Sequence, residues 1–98
     1  MTSTVTVRLN ASRVVPDHNG AGPTTDWARS EGLDVSDVLA DHLLYISVDG
    51  DAHCVAGLKI QRDSRGRRLL NDRGEGYAVE PFNQRVHTAP PRLAPIKG

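Results

Sequence analysis

Ninety-eight residues with twelve basic and twelve acidic side chains carry no net charge, so overall electrostatics give no pull towards nucleic acid or an anionic membrane. One cysteine, Cys54, excludes an internal disulfide and fits a reducing, cytoplasmic setting. No apolar run reaches the length that spans a bilayer, and the alternating start MTSTVTVRLN lacks the apolar centre of a secretion signal.

The chain reads as one small domain over residues 1–89 with a Pro-rich tail over 90–98. Only Trp27, Tyr45, Tyr77 and Phe82 are aromatic. The interior must therefore be built from Val, Leu, Ile and Ala, and a homodimer could supply the burial that a short chain lacks. Charge is unevenly spread. Residues 1–49 hold three basic and seven acidic groups, a net of −4, and residues 50–98 hold nine and five, a net of +4. Opposed charges of this kind suit a protein partner or head-to-tail self-contact.

In chain order, Thr2 to Leu9 alternates apolar and polar positions with a period of two, which predicts a half-buried strand. Residues 10–23 read as loop, punctuated by Pro16, Asn19, Gly20, Gly22 and Pro23 and interrupted by the apolar pair Val14-Val15. A short helix follows. Thr24 or Thr25 is its expected cap, Asp26 suits the positive end of its dipole, Trp27 fixes it to the sheet, and Gly32 suits the left-handed residue after its last turn. Asp34 to His42 admits either a second short helix or a turn.

Leu44, Ile46 and Val48 alternate with Tyr45, Ser47 and Asp49, which predicts a strand. Asp49-Gly50 then signals a tight primed hairpin turn. The return strand spans Ala52 to Arg62, with Cys54, Ala56, Leu58 and Ile60 expected to face the core and His53, Val55, Gly57, Lys59 and Gln61 on the other face. Asp63 to Gly66 is a turn, Arg67 to Asn71 runs back, and Asp72 to Gly76 turns again. Tyr77 to Val86 reads as a last strand, confined by Pro81 to an edge or a bulge. Pro90 to Gly98 reads as an extended, loosely held tail. The expected fold is α+β: one or two short helices packed on an antiparallel meander of about four strands.

The stretch LKIQRDSRGRRLL concentrates cations. Lys59, Arg62, Arg65, Arg67 and Arg68, with Arg73 beyond, are the candidate partner- or nucleic-acid-binding residues, since a basic two-stranded ribbon can grip phosphates. Asp63, Asp72 and Glu75 interrupt the run and no aromatic is interleaved for stacking on bases. The solvated tip of a hairpin is therefore favoured over a nucleic-acid grip.

No other pattern carries chemistry. NGAGPTT lacks the lysine that a phosphate-binding loop needs after its last glycine. His18, His42, His53, His87 and Cys54 show no metal-ligand spacing, and neighbours such as His53 and Cys54 leave opposite faces of a strand. Asp49 and Asp51 lack the later ligands of a calcium loop. Cys54, on the expected core face, reads as a small hydrophobe. Asp37 and Asp41, which could share a helix face, read as solvated acids. No metal, no cofactor and no enzymatic activity are expected.

A larger pattern runs from Trp27-Ala28-Arg29-Ser30-Glu31-Gly32-Leu33-Asp34 through Asp37-Val38 into Leu58-Lys59-Ile60-Gln61-Arg62-Asp63. It continues with Arg65-Gly66-Arg67 and closes on Val86-His87-Thr88-Ala89-Pro90-Pro91-Arg92. This layout resembles small proteins encoded by actinobacterial phages and their hosts. The resemblance spans residues 24–92. It implies a tryptophan-bearing helix followed by a charged meander and a Pro-rich end, and by analogy a non-enzymatic accessory protein that binds a host protein or itself. Nucleic-acid binding through residues 59–73 and a minor virion component are the alternative expectations.

Overall fold

The computed structural model describes residues 6–96. It is an α+β fold in which one antiparallel sheet of five strands carries a single α-helix on one face. The strands are β1 (Leu9–Val14), β2 (Leu44–Val48), β3 (Asp51–Ile60), β4 (Val79–Arg85) and β5 (Leu93–Pro95), in the order β4-β3-β2-β1-β5. The helix, α1, is Pro23–Ser30. Strands β1 to β4 form the expected meander, and the added fifth strand makes the sheet one wider than predicted.

The β2–β3 hairpin follows directly from its turn residues. Asp49 and Gly50 both have positive φ, at 52° and 87°, which is the backbone of a primed two-residue turn whose twist matches the flanking strands. Beyond it, Ile46 opposes Cys54 but Ser47 opposes Ala52, so His53 is an extra residue bulged from β3. β4 lies at the sheet edge, the position to which Pro81 restricts it.

Two expectations for the elements are corrected and one open alternative is decided. Of the strand predicted at Thr2 to Leu9, residues 2–5 lie outside the described residues, and the strand observed is Leu9–Val14, inside the predicted loop. Val14 is its anchor, 1 % exposed and in the core. The stretch read as a loose tail instead supplies β5: Leu93, Ala94 and Pro95 pair with Val14, Arg13 and Ser12, and Val15 N–H donates to Arg92 O at 3.0 Å. Residues 34–42 contain no second α-helix. Asp37 to Leu39 lies along the edge of β3 where β2 has ended, with Ile60 N–H donating to Asp37 O and Leu39 N–H to Leu58 O, both at 2.9 Å. A single 3₁₀ turn, Ala40–His42, then leads into β2.

Helix α1 is capped from a distance. Neither Thr24 nor Thr25 caps it. Asp17 reaches over instead, its carboxylate accepting from Thr24 N–H (3.1 Å) and Thr25 N–H (2.7 Å), two amides that the first turn leaves without partners. Burial works to raise the Asp17 carboxyl, but the hydrogen bonds from Thr25 and Thr24 together outweigh it and hold it below the usual carboxylate range. Gly22 makes this approach possible. Its φ is +145°, and a Cβ there would stand 2.9 Å from the Asp17 carboxyl carbon.

The core lies between α1 and one sheet face. It comprises Val14, Trp27, Ala28, Leu33, Leu43, Tyr45, Val55 and Val86, with Val35, Val38, Ala52 and Phe82 packed against it. From β4 the chain crosses this same side to reach β5 at the far edge. On the way, the Trp27 indole N–H donates to Thr88 O at 3.0 Å and Thr88 Oγ1 at 3.1 Å. The Glu31 carboxylate accepts from the backbone N–H groups of His87 and Thr88.

Candidate interaction surfaces: the arginine arm and the open sheet face

Residues 61–78 leave the sheet between β3 and β4 as an arm made of two turns. In the first, the Asp63 carboxylate accepts from Arg65 N–H (2.8 Å) and Arg67 N–H (2.9 Å) and from Arg67 Nε (3.1 Å). Backbone N–H of Arg67 foremost, against burial and aided by Arg65, holds the Asp63 carboxyl below its usual range. In the second, Asn71 Oδ1 accepts from Arg73 N–H and Glu75 N–H. Each turn is thus closed by its own first residue.

The predicted cations do not converge on a common groove. Arg62 and Arg68 turn inwards to Asp37. Arg62 Nε and Nη2 donate to its two oxygens at 2.5 and 2.9 Å, and Arg68 Nε donates at 3.2 Å. Arg68 also donates to Ser36 O at 2.9 Å, and its guanidinium lies 5.3 Å from the Tyr77 ring centroid, within cation–π range. Lys59 lies 3.7 Å from Glu80 on the neighbouring strand. Among the described residues, only Arg65 and Arg73 of the six make no side-chain hydrogen bond or ion pair.

Asp37 was expected to be a solvated acid that could share a helix face with Asp41. It is buried at 5 % exposure, off any helix, and the hydrogen bond from Arg62 foremost, opposed by burial and assisted by Arg68, keeps its carboxyl below the usual range. The same contact pushes Arg62 up. Sequence gave no sign of this node, because its members are 25 and 31 residues apart.

The sheet has two unequal faces. Ser12, Tyr45, Val55 and Gln84 are register partners in one row across β1 to β4, and Arg13, Leu44, Ala56 and Asn83 form the next. Side chains alternate between faces along a strand. Tyr45 and Val55 belong to the core beneath α1, so the row containing Arg13, Leu44, Ala56 and Asn83 points the other way. The row Ala11, Ile46, Cys54 and Arg85 shares this second face, as do the pairs Leu58–Pro81 and Ile60–Val79.

This corrects the predicted core face of β3. Cys54, Ala56, Leu58 and Ile60 do not line the core; the set containing Val55 and Gly57 does. None of the four belongs to the core cluster, and all are only half-buried. No described element covers them. Gly57 explains how the more polar face became the inner one. A Cβ at Gly57 would stand 2.8 Å from His42 O and 3.2 Å from Leu43 Cδ1, so its lack of a side chain lets the 37–43 segment lie directly against β3. Val79 and Leu9, at 41 % and 67 % exposure, extend the apolar surface outwards.

A groove of about 540 Å³ runs between α1 and residues 33–43. Its apolar lining includes Ala28, Leu33 and Val38, and its polar lining includes Asp17, Arg29 and Asp41. The Asp17 carboxylate is already committed to α1. Among the described residues, no three His, Cys, Asp or Glu side chains gather where they could hold a metal ion, and no helix is long and apolar enough to cross a membrane. Comparison of the chain with protein-family models, with curated proteins and with solved structures finds no match in any of the three.

Proposed function

We propose that this protein is a non-enzymatic binding module that acts by protein–protein contact through the open face of its sheet. The observation that carries the reading is the orientation of β3, whose aliphatic set Cys54, Ala56, Leu58 and Ile60 faces away from the core. A domain normally closes its apolar sheet face with a second layer, and a contiguous uncovered patch is the usual mark of an interaction site. The resemblance to actinobacterial phage proteins supports an accessory role in the host cytoplasm, with a host factor or a second copy as partner.

Nucleic-acid binding is the weaker reading. Arg62 and Arg68 serve Asp37 and Arg67 serves its own turn, which leaves few cations free to neutralise phosphates.

Parallel affinity capture tests the proposal, with the wild-type protein and Leu58→Asp as baits in the same lysate. The expected result is a specific set of proteins that is lost with Leu58→Asp and insensitive to nuclease. Identical recoveries from both baits, or recovery that nuclease abolishes, would sink it.

A further inference from the structure

Resting on that reading, we infer that the occupant of the open face is a second copy of this chain, packed sheet against sheet around a two-fold axis. The first argument is area. For its mass of 10.6 kDa, a folded monomer exposes about 5,500 Å². This chain exposes 7227 Å², roughly 1,700 Å² more than that scaling gives. Part of the excess belongs to the arm, where Leu69, Leu70 and Tyr77 are exposed, and part to the open face, where Leu9 and Val79 are. With strands about 4.8 Å apart and about 3.3 Å of rise per residue, five strands give a flat footprint of roughly 500 Å². Standing side chains add to that, so each copy approaches the 800 Å² or so per partner of a stable interface.

The second argument is self-complementarity. A two-fold contact places the same patch on both sides. The centre of this patch is of modest aliphatic side chains, Ala56, Leu58 and Ile46, while Arg13, Asn83 and Arg85 lie among its outer positions. Two such faces interdigitate at the usual sheet-to-sheet spacing of about 10 Å.

The third argument is charge, which sets the orientation. Asp51, opposite Val48 in the register, lies on this face at one end of β3. Just beyond the other end stands the node in which Arg62 and Arg68 share the single carboxylate of Asp37, two cations on one anion, with the Arg62 side chain still 40 % exposed. A two-fold axis in the interface, crossing β3 near Ala56, brings Asp51 of one copy level with this net positive cluster of the other, at both ends at once. The opposite orientation would set like charges together.

The test is the mass of the full chain by light scattering across a micromolar-to-millimolar series, together with the rate at which a thiol reagent modifies Cys54. Cys54 is on the central strand of the proposed interface and serves as a built-in probe. The expected result is a dimer, Cys54 modification that slows as protein concentration rises, and dissociation at least about tenfold easier in Leu58→Asp, with Arg29→Ala on the outer side of α1 unchanged. Far-ultraviolet dichroism and Trp27 emission report whether Leu58→Asp folds. Should it not, Cys54 protection in the unaltered chain decides alone. A monomer at every concentration overturns the dimer; if Leu58→Asp still abolishes specific capture, the binding-module reading survives without it. A dimer that leaves Cys54 equally reactive at every concentration overturns the choice of face.

Discussion

At the scale of single residues, Asp37 and Gly57 hold more of the structure than their sequence context suggests. Asp37 accepts from two guanidinium groups, and its carboxyl is held below the ordinary value of 3.8. A carboxyl lowered on folding contributes stability above its unfolded pKa and loses it as pH falls through the folded value. The melting midpoint is therefore expected to drop as pH falls below about 4, with Asp17 and Asp63 contributing in the same direction. Asp37→Asn keeps the shape and removes the charge. It should lower the midpoint by a few degrees at neutral pH and make the acid slope shallower. A pH series of thermal melts on the two proteins checks both; equal slopes would mean that Asp37 does not titrate in this way. Gly57→Ala is a separate case. Its new methyl meets backbone oxygen at 2.8 Å, which cannot move aside as a flexible side chain can, so a loss of about 1–3 kcal/mol is expected in chemical denaturation.

At the scale of elements, α1 is held at its start by Asp17 and along its body by Trp27. Trp27→Phe keeps a ring in the core but removes the donor to Thr88 and some volume. A loss of about 1–2 kcal/mol is expected from the missing hydrogen bond and imperfect filling, measured by urea unfolding; an unchanged midpoint would show that the Thr88 contact contributes nothing. What could be read from the sequence divides along the same line. The β2–β3 hairpin was legible because Asp49-Gly50 specifies its own turn, and α1 was legible from Trp27 to Gly32 because its signals are local. β1 was misplaced because the alternation of Thr2 to Leu9 outweighed Val14, whose partners Leu43 and Leu93 are distant in sequence. The cap was missed because Asp17 is seven and eight residues from the amides it accepts. Alternation showed which residues of β3 share a face. It could not show which face would be covered, since that depends on Gly57 admitting the 37–43 segment. Of the candidate cations, Lys59 stands in β3 and the other five on the turn-rich arm, and Asp37, the partner of Arg62 and Arg68, had no local signature.

At the scale of the whole molecule, one layer of sheet and one short helix leave a small interior. Among the described residues, the largest side chains under 2 % exposed are those of Val14 and Val55, and a chain of this size gains little from so modest a core. Closing the open face with a second copy would convert an exposed aliphatic surface into a second core, and folding would then be coupled to association. Mass action makes that coupling visible: whatever binds the folded state and not the unfolded one raises the midpoint as its concentration rises. The wild-type melting midpoint is expected to climb steadily with protein concentration, measured by calorimetry over a hundredfold range or so. In Leu58→Asp the midpoint should be lower at high concentration and independent of it, because the charge sits where the second sheet would pack and the core beneath α1 is untouched. The two curves should meet on dilution, where even the wild type is a monomer. A wild-type midpoint that stays flat would mean that the sheet and its helix are stable alone, and the exposed face would then have to be explained without self-association.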